Sequence, residues 1–308
     1  MSFAARDDKA TWQNERVERD VVGPSEVVFA SAIGRIGRFR ISPTNPRFAD
    51  TGPIAQHLVA FPRTAVAITH AGGPRMMADP TRAMIYNRGQ EYRRGVVSPE
   101  GDRCEWFAFD AAAIADATAP WDASAAERLD RPFSRAWAPV DPRTYALQRA
   151  TFERACAGGD AMAIEEAMLA LLARVVRASF GACVTSGHAA DRAATRRAHA
   201  EIVDEVQRIL ATRFREPLSL GAIARMVGAS PFHLARVFRA HARVPIHAYR
   251  TQLRLRASLE ALVDRRDITA LALDLGFASH AHFTTAFRRA FGTTPSAWRG
   301  SSKNSKAR

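Results

Sequence analysis

Between Ser230 and Arg239 the chain places a hydroxyl, an aromatic ring and two guanidinium groups at helical spacing, a set suited to hydrogen bonding with an ordered polyanion. In Pro231-Phe232-His233-Leu234-Ala235-Arg236-Val237-Phe238-Arg239, the apolar Leu234, Val237 and Phe238 share one helical face. That leaves Phe232, Ala235, Arg236 and Arg239 on the other. Arg236 has the chemistry for a base contact, because a guanidinium donates two hydrogen bonds to guanine O6 and N7. Phe232 suits a thymine methyl, and Arg239, a turn further on, suits a phosphate. On an isolated helix either arginine would be an ordinary solvated charge, so the surrounding elements decide.

A second set follows in Ser279-His280-Ala281-His282-Phe283-Thr284-Thr285-Ala286-Phe287-Arg288. Here Phe283, Ala286 and Phe287 mark the inner face, while His280, Ala281, Thr284, Thr285 and Arg288 mark the outer. These outer chains are shorter and less charged, which points to methyl, hydroxyl and shape readout. His233 and His282 stand at equivalent places just after the two turns. Without partner ligands nearby, turn stabilisation or a phosphate hydrogen bond is the reading for both, and no metal is expected.

The elements that position these groups are themselves repeated. Leu220-Gly221-Ala222-Ile223-Ala224-Arg225-Met226-Val227-Gly228 runs in step with Ile268-Thr269-Ala270-Leu271-Ala272-Leu273-Asp274-Leu275-Gly276. Each glycine ends a short helix, and in the first unit Ser230 and Pro231 supply an N-cap and a first helical residue. Two helix-turn-helix units are thereby predicted. Between them His247 to Asp264 reads as a helix of about 27 Å at about 1.5 Å per residue, a rigid spacer for two groove readers set roughly 34 Å apart on DNA.

Residues from about Ala194 to Arg299 resemble the DNA-binding domain of the AraC/XylS family of bacterial transcription regulators. The resemblance rests on Ser230 to Phe238 and, more specifically, on Gly276-Phe277-Ala278-Ser279-His280-Ala281-His282-Phe283 running through Phe287-Arg288-Arg289-Ala290-Phe291-Gly292-Thr293-Thr294-Pro295-Ser296-Ala297-Trp298-Arg299. It implies double-stranded promoter DNA and RNA polymerase as partners. It also implies base contacts at Phe232, Ala235, Arg236, His280, Ala281, Thr284 and Thr285. Ser230, Arg239, Ser279 and Arg288 are then the phosphate contacts. Arg243-Val244-Pro245-Ile246 departs from the family pattern, which has a glycine and then Ser-Pro, so the end of that helix is expected to close differently.

Charge agrees with a polyanion partner. Of the net +13, residues 201–300 contribute +7 from 15 Arg against 8 Asp and Glu, and the tail from Ser301 a further +3. No apolar run is long enough to span a membrane and the start lacks a secretory signal, so a cytoplasmic protein is expected. Cys104, Cys156 and Cys183 are too widely spaced for a disulfide framework or a paired-cysteine metal site.

The N-terminal half reads as short strands separated by turns, among them Val27–Ala30, Ala65–Thr69, Met84–Tyr86 and Glu105–Phe109, which suggests a sandwich or barrel. The same resemblance implies a cupin-like barrel that binds an effector or supports a homodimer. Phe61, Tyr86, Tyr92, Trp106 and Phe107 are candidates to line the pocket, with core packing the favoured role for each. Only His57 and His70 are present in place of a cupin metal set, so neither metal catalysis nor a cofactor is expected. Ile164, Ala167, Met168, Leu171, Leu172, Val175 and Val176 form one apolar helix face that must bury against the barrel or a second subunit.

The expected fold is therefore α+β in two domains. Its boundaries are an N-terminal arm at 1–25, a cupin-like β-barrel at 26–115, an irregular segment with linker or dimerisation helices at 116–178 and a linker at 179–193. An all-α double helix-turn-helix domain follows at 194–300, with a basic tail at 301–308. A sequence-specific regulator, not an enzyme, is the leading expectation. The alternatives are a DNA-repair enzyme with such a module, which would need clustered cysteines, and a DNA binder of low specificity.

Overall fold

Strands too short to wrap far shape the N-terminal half of this chain, seen in a computed structural model that describes residues 24–181, 191–264 and 267–306. Most of the expected N-terminal arm, much of the expected linker and Cys183 lie outside the described residues. Eight strands run in order: β1 (Ser25–Ala30), β2 (Gly34–Ile41), β3 (Leu58–Pro62), β4 (Val66–His70), β5 (Arg75–Ala78), β6 (Arg82–Tyr86), β7 (Tyr92–Val96) and β8 (Asp102–Phe109). They pair antiparallel in two separate sheets, β1-β2-β8-β3-β6, extended by a later strand β9 (Trp137–Pro139), and β5-β4-β7. The strand-rich unit is thus two facing sheets in place of one closed barrel. Closure requires strands to tilt and stagger around a full circuit, and the small sheet offers only three strands of four or five residues.

Ala60, Met84, Tyr86, Trp106 and Ala108 of the large sheet meet Val66, Ile68, Ala78 and Tyr92 of the small one. On the other face of the large sheet Ile36, Val59, Phe61, Ile85 and Phe107 pack under helices. Both faces are therefore buried. Gly37 pairs with Trp106, and a Cβ there would stand 2.2 Å from the indole, so only glycine lets the ring lie flat across the strand.

Just before and within the segment expected to be irregular the chain holds real elements: α1 (Ala111–Thr118), a 3-10 turn at Ala123–Glu127, and β9 at the sheet edge. Asp110 caps α1 by accepting from the Ala113 amide. Next come α2 (Pro142–Cys156), with Asp141 as cap and proline in its first turn, and α3 (Ala161–Gly181). The apolar face of α3 is spent inside the chain: Ile164, Met168, Leu171, Leu172, Val175 and Val176 are each at most 2% exposed, in the core beneath the large sheet. It is not a subunit interface. Of its two possible uses, packing onto the sheet wins because that sheet's outer face needs cover over its whole width.

The C-terminal part is helical: α4 (Asp191–Arg213), α5 (Leu220–Met226), α6 (Pro231–Ala242), α7 (Ile246–Asp264), α8 (Ile268–Asp274), α9 (His280–Phe291) and α10 (Pro295–Lys306). No described helix is long and apolar enough to cross a membrane. The two halves share a core, since Leu255, Leu259 and Leu262 of α7 join the same apolar cluster as Tyr145 and Phe152 of α2. Polar groups lock this joint. The Tyr249 hydroxyl on α7 donates to the fully buried Asp79 carboxylate, which follows β5, and Arg256 donates to the Val140 carbonyl. Arg63, just after β3, reaches Glu260 of α7, with Nε 3.0 Å from Oε1, and also donates to the Tyr145 hydroxyl at 2.9 Å.

Candidate nucleic-acid interface

Capping fixes where each short helix of the repeated units begins. Ser219 accepts from the Ala222 amide at 3.1 Å, and Asp267 accepts from Thr269 and Ala270 at 2.8 and 3.1 Å, so α5 and α8 start at matched places. Ser230 accepts from the His233 amide at 3.2 Å and Ser279 from His282 at 3.1 Å, starting α6 and α9. Both hydroxyls still hold a proton to donate outward. Each helix also ends in the left-handed region, α6 at Arg243 (φ 61°) and α9 at Gly292 (φ 77°). The departure at Arg243 therefore changes the residue and not the closure.

Packing then turns the polar faces out. In the first unit Leu234, Val237 and Phe238 are fully buried with Val206, Leu210, Ile223 and Ala224. Phe283 and Phe287 are likewise buried in the second unit, where Trp298 of α10 closes against Phe287 and Phe291. Phe232, Arg236, Arg239, His280, Ala281, Thr285 and Arg288 are exposed, and Ala235 and Thr284 half-exposed. At 80% exposure Phe232 is the most exposed large apolar side chain among the described residues. An aromatic ring held in water on a helix whose other side is fully packed gains from any apolar contact offered to it.

α7 holds the two units in one frame. Its first half, through Ile246, Tyr249 and Leu253, belongs to the core of the first unit, and its second half, through Leu255, Leu259 and Leu262, to that of the second. Two arginines on it complete the frame. Arg250 donates to the Leu218 carbonyl at 2.7 Å; Arg254 donates to Phe214 at 2.7 Å, to Glu216 at 3.3 Å and to Gly276 at 2.6 Å. Arg254 thus bridges the loop entering α5 and the turn entering α9. Burial, and then Arg250 beside it, push it down to about 10, so it stays charged at neutral pH. Gly276 is required at that bridge: it sits at φ +83°, and a Cβ would come within 2.3 Å of the Arg215 carbonyl and 2.6 Å of the Arg254 guanidinium. Neither arginine stands out in the sequence, because their partners are carbonyls that no side-chain pattern marks.

The other candidates divide by strand parity. Tyr86, Tyr92 and Trp106 line a cavity of about 790 Å³ between the two sheets, together with Ile68, Met84 and Ile54. Phe61 and Phe107 leave the pocket: neighbours along a strand point to opposite faces, so Phe107 turns away where Trp106 turns in. They meet edge to face, 5.7 Å between centroids, under the helices. The cavity holds an unforeseen polar group, Arg94, whose Nε donates to Asp102 at 2.6 Å and which also reaches Tyr92. His57 and His70 are engaged with the Arg88 amide and the Gln90 side chain. Burial pushes the Cys104 and Cys156 thiols up, away from the reactive thiolate form.

The comparisons with known proteins fall on the helical part. A family profile described as "Helix-turn-helix domain" matches residues 223–301. Over 102 residues the chain is 32% identical to the regulatory protein SoxS of Escherichia coli (strain K12), covering 33% of this chain and 95% of SoxS. It is 35% identical over 114 residues to the HTH-type transcriptional regulator GlxA of Rhizobium meliloti (strain 1021), 37% of this chain and 34% of that protein. With the bifunctional transcriptional activator/DNA repair enzyme AdaA of Bacillus subtilis (strain 168) it shares 30% identity over 104 residues, 33% of this chain and 49% of AdaA. The chain thus spans about a third of GlxA and about half of AdaA.

Proposed function

The chain belongs to the AraC/XylS family of transcription regulators, and from that premise we propose that α6 and α9 read two neighbouring major-groove segments of a promoter while the sheet-rich half senses an effector and pairs two copies of the chain. The observation that carries this reading is the matched pair of capped twelve-residue helices, each with a packed inner face and an exposed outer one, fixed on a single spacer. Arg236 donates to guanine O6 and N7, Phe232 covers a thymine methyl, and Ala235 permits close approach. Arg239 and Arg288, with the hydroxyls of Ser230 and Ser279, hold phosphates. His280, Ala281, Thr284 and Thr285 give the second unit shorter contacts and more shape readout. α7, with 19 residues, is about 28 Å long at about 1.5 Å per residue, short of the roughly 34 Å groove repeat, so the DNA bends toward the protein.

The effector is a small, mostly apolar molecule seated between the sheets, with Tyr86, Tyr92 and Trp106 around it and the Arg94–Asp102 pair for its polar group. Its arrival alters promoter binding or contact with RNA polymerase through the shared core at α7. The homodimer forms through the outward face of α3, which exposes Met162, Glu166, Leu169, Ala170, Ala173 and Arg174. About a two-fold axis at Ala170 an antiparallel copy sets Glu166 opposite Arg174 twice over, and the alanines let the helices approach closely.

Binding to a duplex selected from a random pool tests the central claim. Arg236→Ala should weaken the selected duplex by roughly 1–3 kcal/mol and erase preference at one base pair. Arg239→Ala and Arg288→Ala should weaken all duplexes alike and reduce the salt slope by about one each. Unchanged preference in Arg236→Ala would remove α6 as a base reader.

A further inference from the structure

Three imidazoles meet beside α6 although their residues lie on two helices. His199 of α4 stands edge-on to His233, 5.3 Å between centroids, and to His241, 5.9 Å, both of α6. The rings are not arranged as a metal site, since no such group of ligands occurs among the described residues. Hydrogen bonds fix their protons. A guanidinium can only donate, so the His233 Nδ1 that lies 3.5 Å from Arg236 Nη2 must be unprotonated. His241 Nδ1 donates to the Val237 carbonyl at 2.9 Å.

We propose that His233, backed by His199 and His241, is the positioning residue for the Arg236 guanidinium, and that protonation of this cluster turns α6 from a base-selective reader into a general phosphate binder. The step is a proton transfer from solvent to His233 Nδ1. Once made, both partners are cationic donors, their contact is lost, and Arg236 swings free while the imidazolium adds a charge beside the groove. This rests on the reading of α6 given above.

Burial lowers the proton affinity of His199, and His233, His241 and Arg236 lower it further. On α4 itself Arg197 and Glu201 are two residues away and project to other sides of the helix. Arg75 of β5 acts instead on Asp204 and Glu205 further along α4. Of the other elements packed on α6, α5 carries Arg225, and α7 carries His247 and Arg250, the last bonded to the Leu218 carbonyl. DNA phosphates raise what burial lowers. Binding then takes up protons, so affinity rises as pH falls.

The test uses the full chain, a selected duplex and the same duplex changed at the base pair whose preference Arg236→Ala erases, titrated by fluorescence anisotropy at constant ionic strength. Between about pH 8 and about pH 6 the changed duplex should bind roughly three- to tenfold tighter, and discrimination between the duplexes should fall at least about threefold. His233→Gln, an exchange near the protein surface, should make discrimination independent of pH, and His199→Gln should weaken the dependence. His247→Gln, an exposed exchange on α7 outside both outer faces, should leave it in place. Discrimination that ignores pH in the wild type, or shifts equally in His233→Gln, overturns the proposal while sparing Arg236 as a reader. Loss of any Arg236-dependent preference sinks both.

Discussion

Replacing Tyr249 by Phe removes one oxygen from the joint between the halves and nothing else. The ring stays packed edge-on to Phe238, 5.4 Å between centroids, so no cavity opens. What is lost is the hydroxyl that donates to Asp79 Oδ2. Oδ1 keeps its donors, the Thr81 amide at 2.8 Å and the Thr81 hydroxyl at 2.7 Å. Because Asp79 is fully buried, water cannot replace the missing donor. A hydrogen bond to a charged group contributes about 1.5–3 kcal/mol, and an unmet buried acceptor keeps the whole loss. The expected cost is about 2 kcal/mol, or roughly 4–8 °C in Tm for a cooperative unit the size of the sheet-rich half. Thermal unfolding followed by circular dichroism measures it. Tyr86→Phe is the control: that hydroxyl faces the cavity and has no described protein partner, so it should change stability by less than about 0.5 kcal/mol. If Tyr249→Phe melts with the wild type, the buried hydroxyl–carboxylate bond does not hold the halves together.

Arg243→Gly should stabilise the chain by about 0.5–1 kcal/mol, since glycine relieves the left-handed backbone of an L-residue, partly offset by its freer unfolded state; Gly292→Ala should act in the opposite sense, and a lowered Tm for Arg243→Gly would contradict the strain. Leu169→Glu on the outer face of α3 should turn a dimer into monomers in sedimentation at micromolar concentration, and Glu166→Arg should weaken it by placing four like charges at the crossing; a wild-type monomer under those conditions refutes that interface.

The helical half was legible because its signals are local. Ser230, Ser279 and the two apolar triplets act within one or two turns, so caps, faces and the spacer fall where the pattern sets them. The strand-rich half needed distant information. Whether five-residue strands close into a barrel depends on how many neighbours they find, and β9 is too short for any periodicity to show. The apolar stripe of α3 told that it must be covered but not by what. Trp106 and Phe107 were separable by parity alone, once the face of β8 was known. Least visible were the pairs that meet only in three dimensions: Tyr249 with Asp79, Arg254 with Gly276, and His199 with His233.

The shared ownership of α7 bears on how such a protein can diversify. A reader that ended in a water-facing surface could be cut from one chain and joined to another with its function intact. Here Leu255, Leu259 and Leu262 are held in common with Tyr145 and Phe152, and Tyr249 has its acceptor on the far side of the joint. Recombination at the boundary would strand an apolar stripe and a buried carboxylate together. Substitutions on the exposed faces of α6 and α9, by contrast, leave that joint intact.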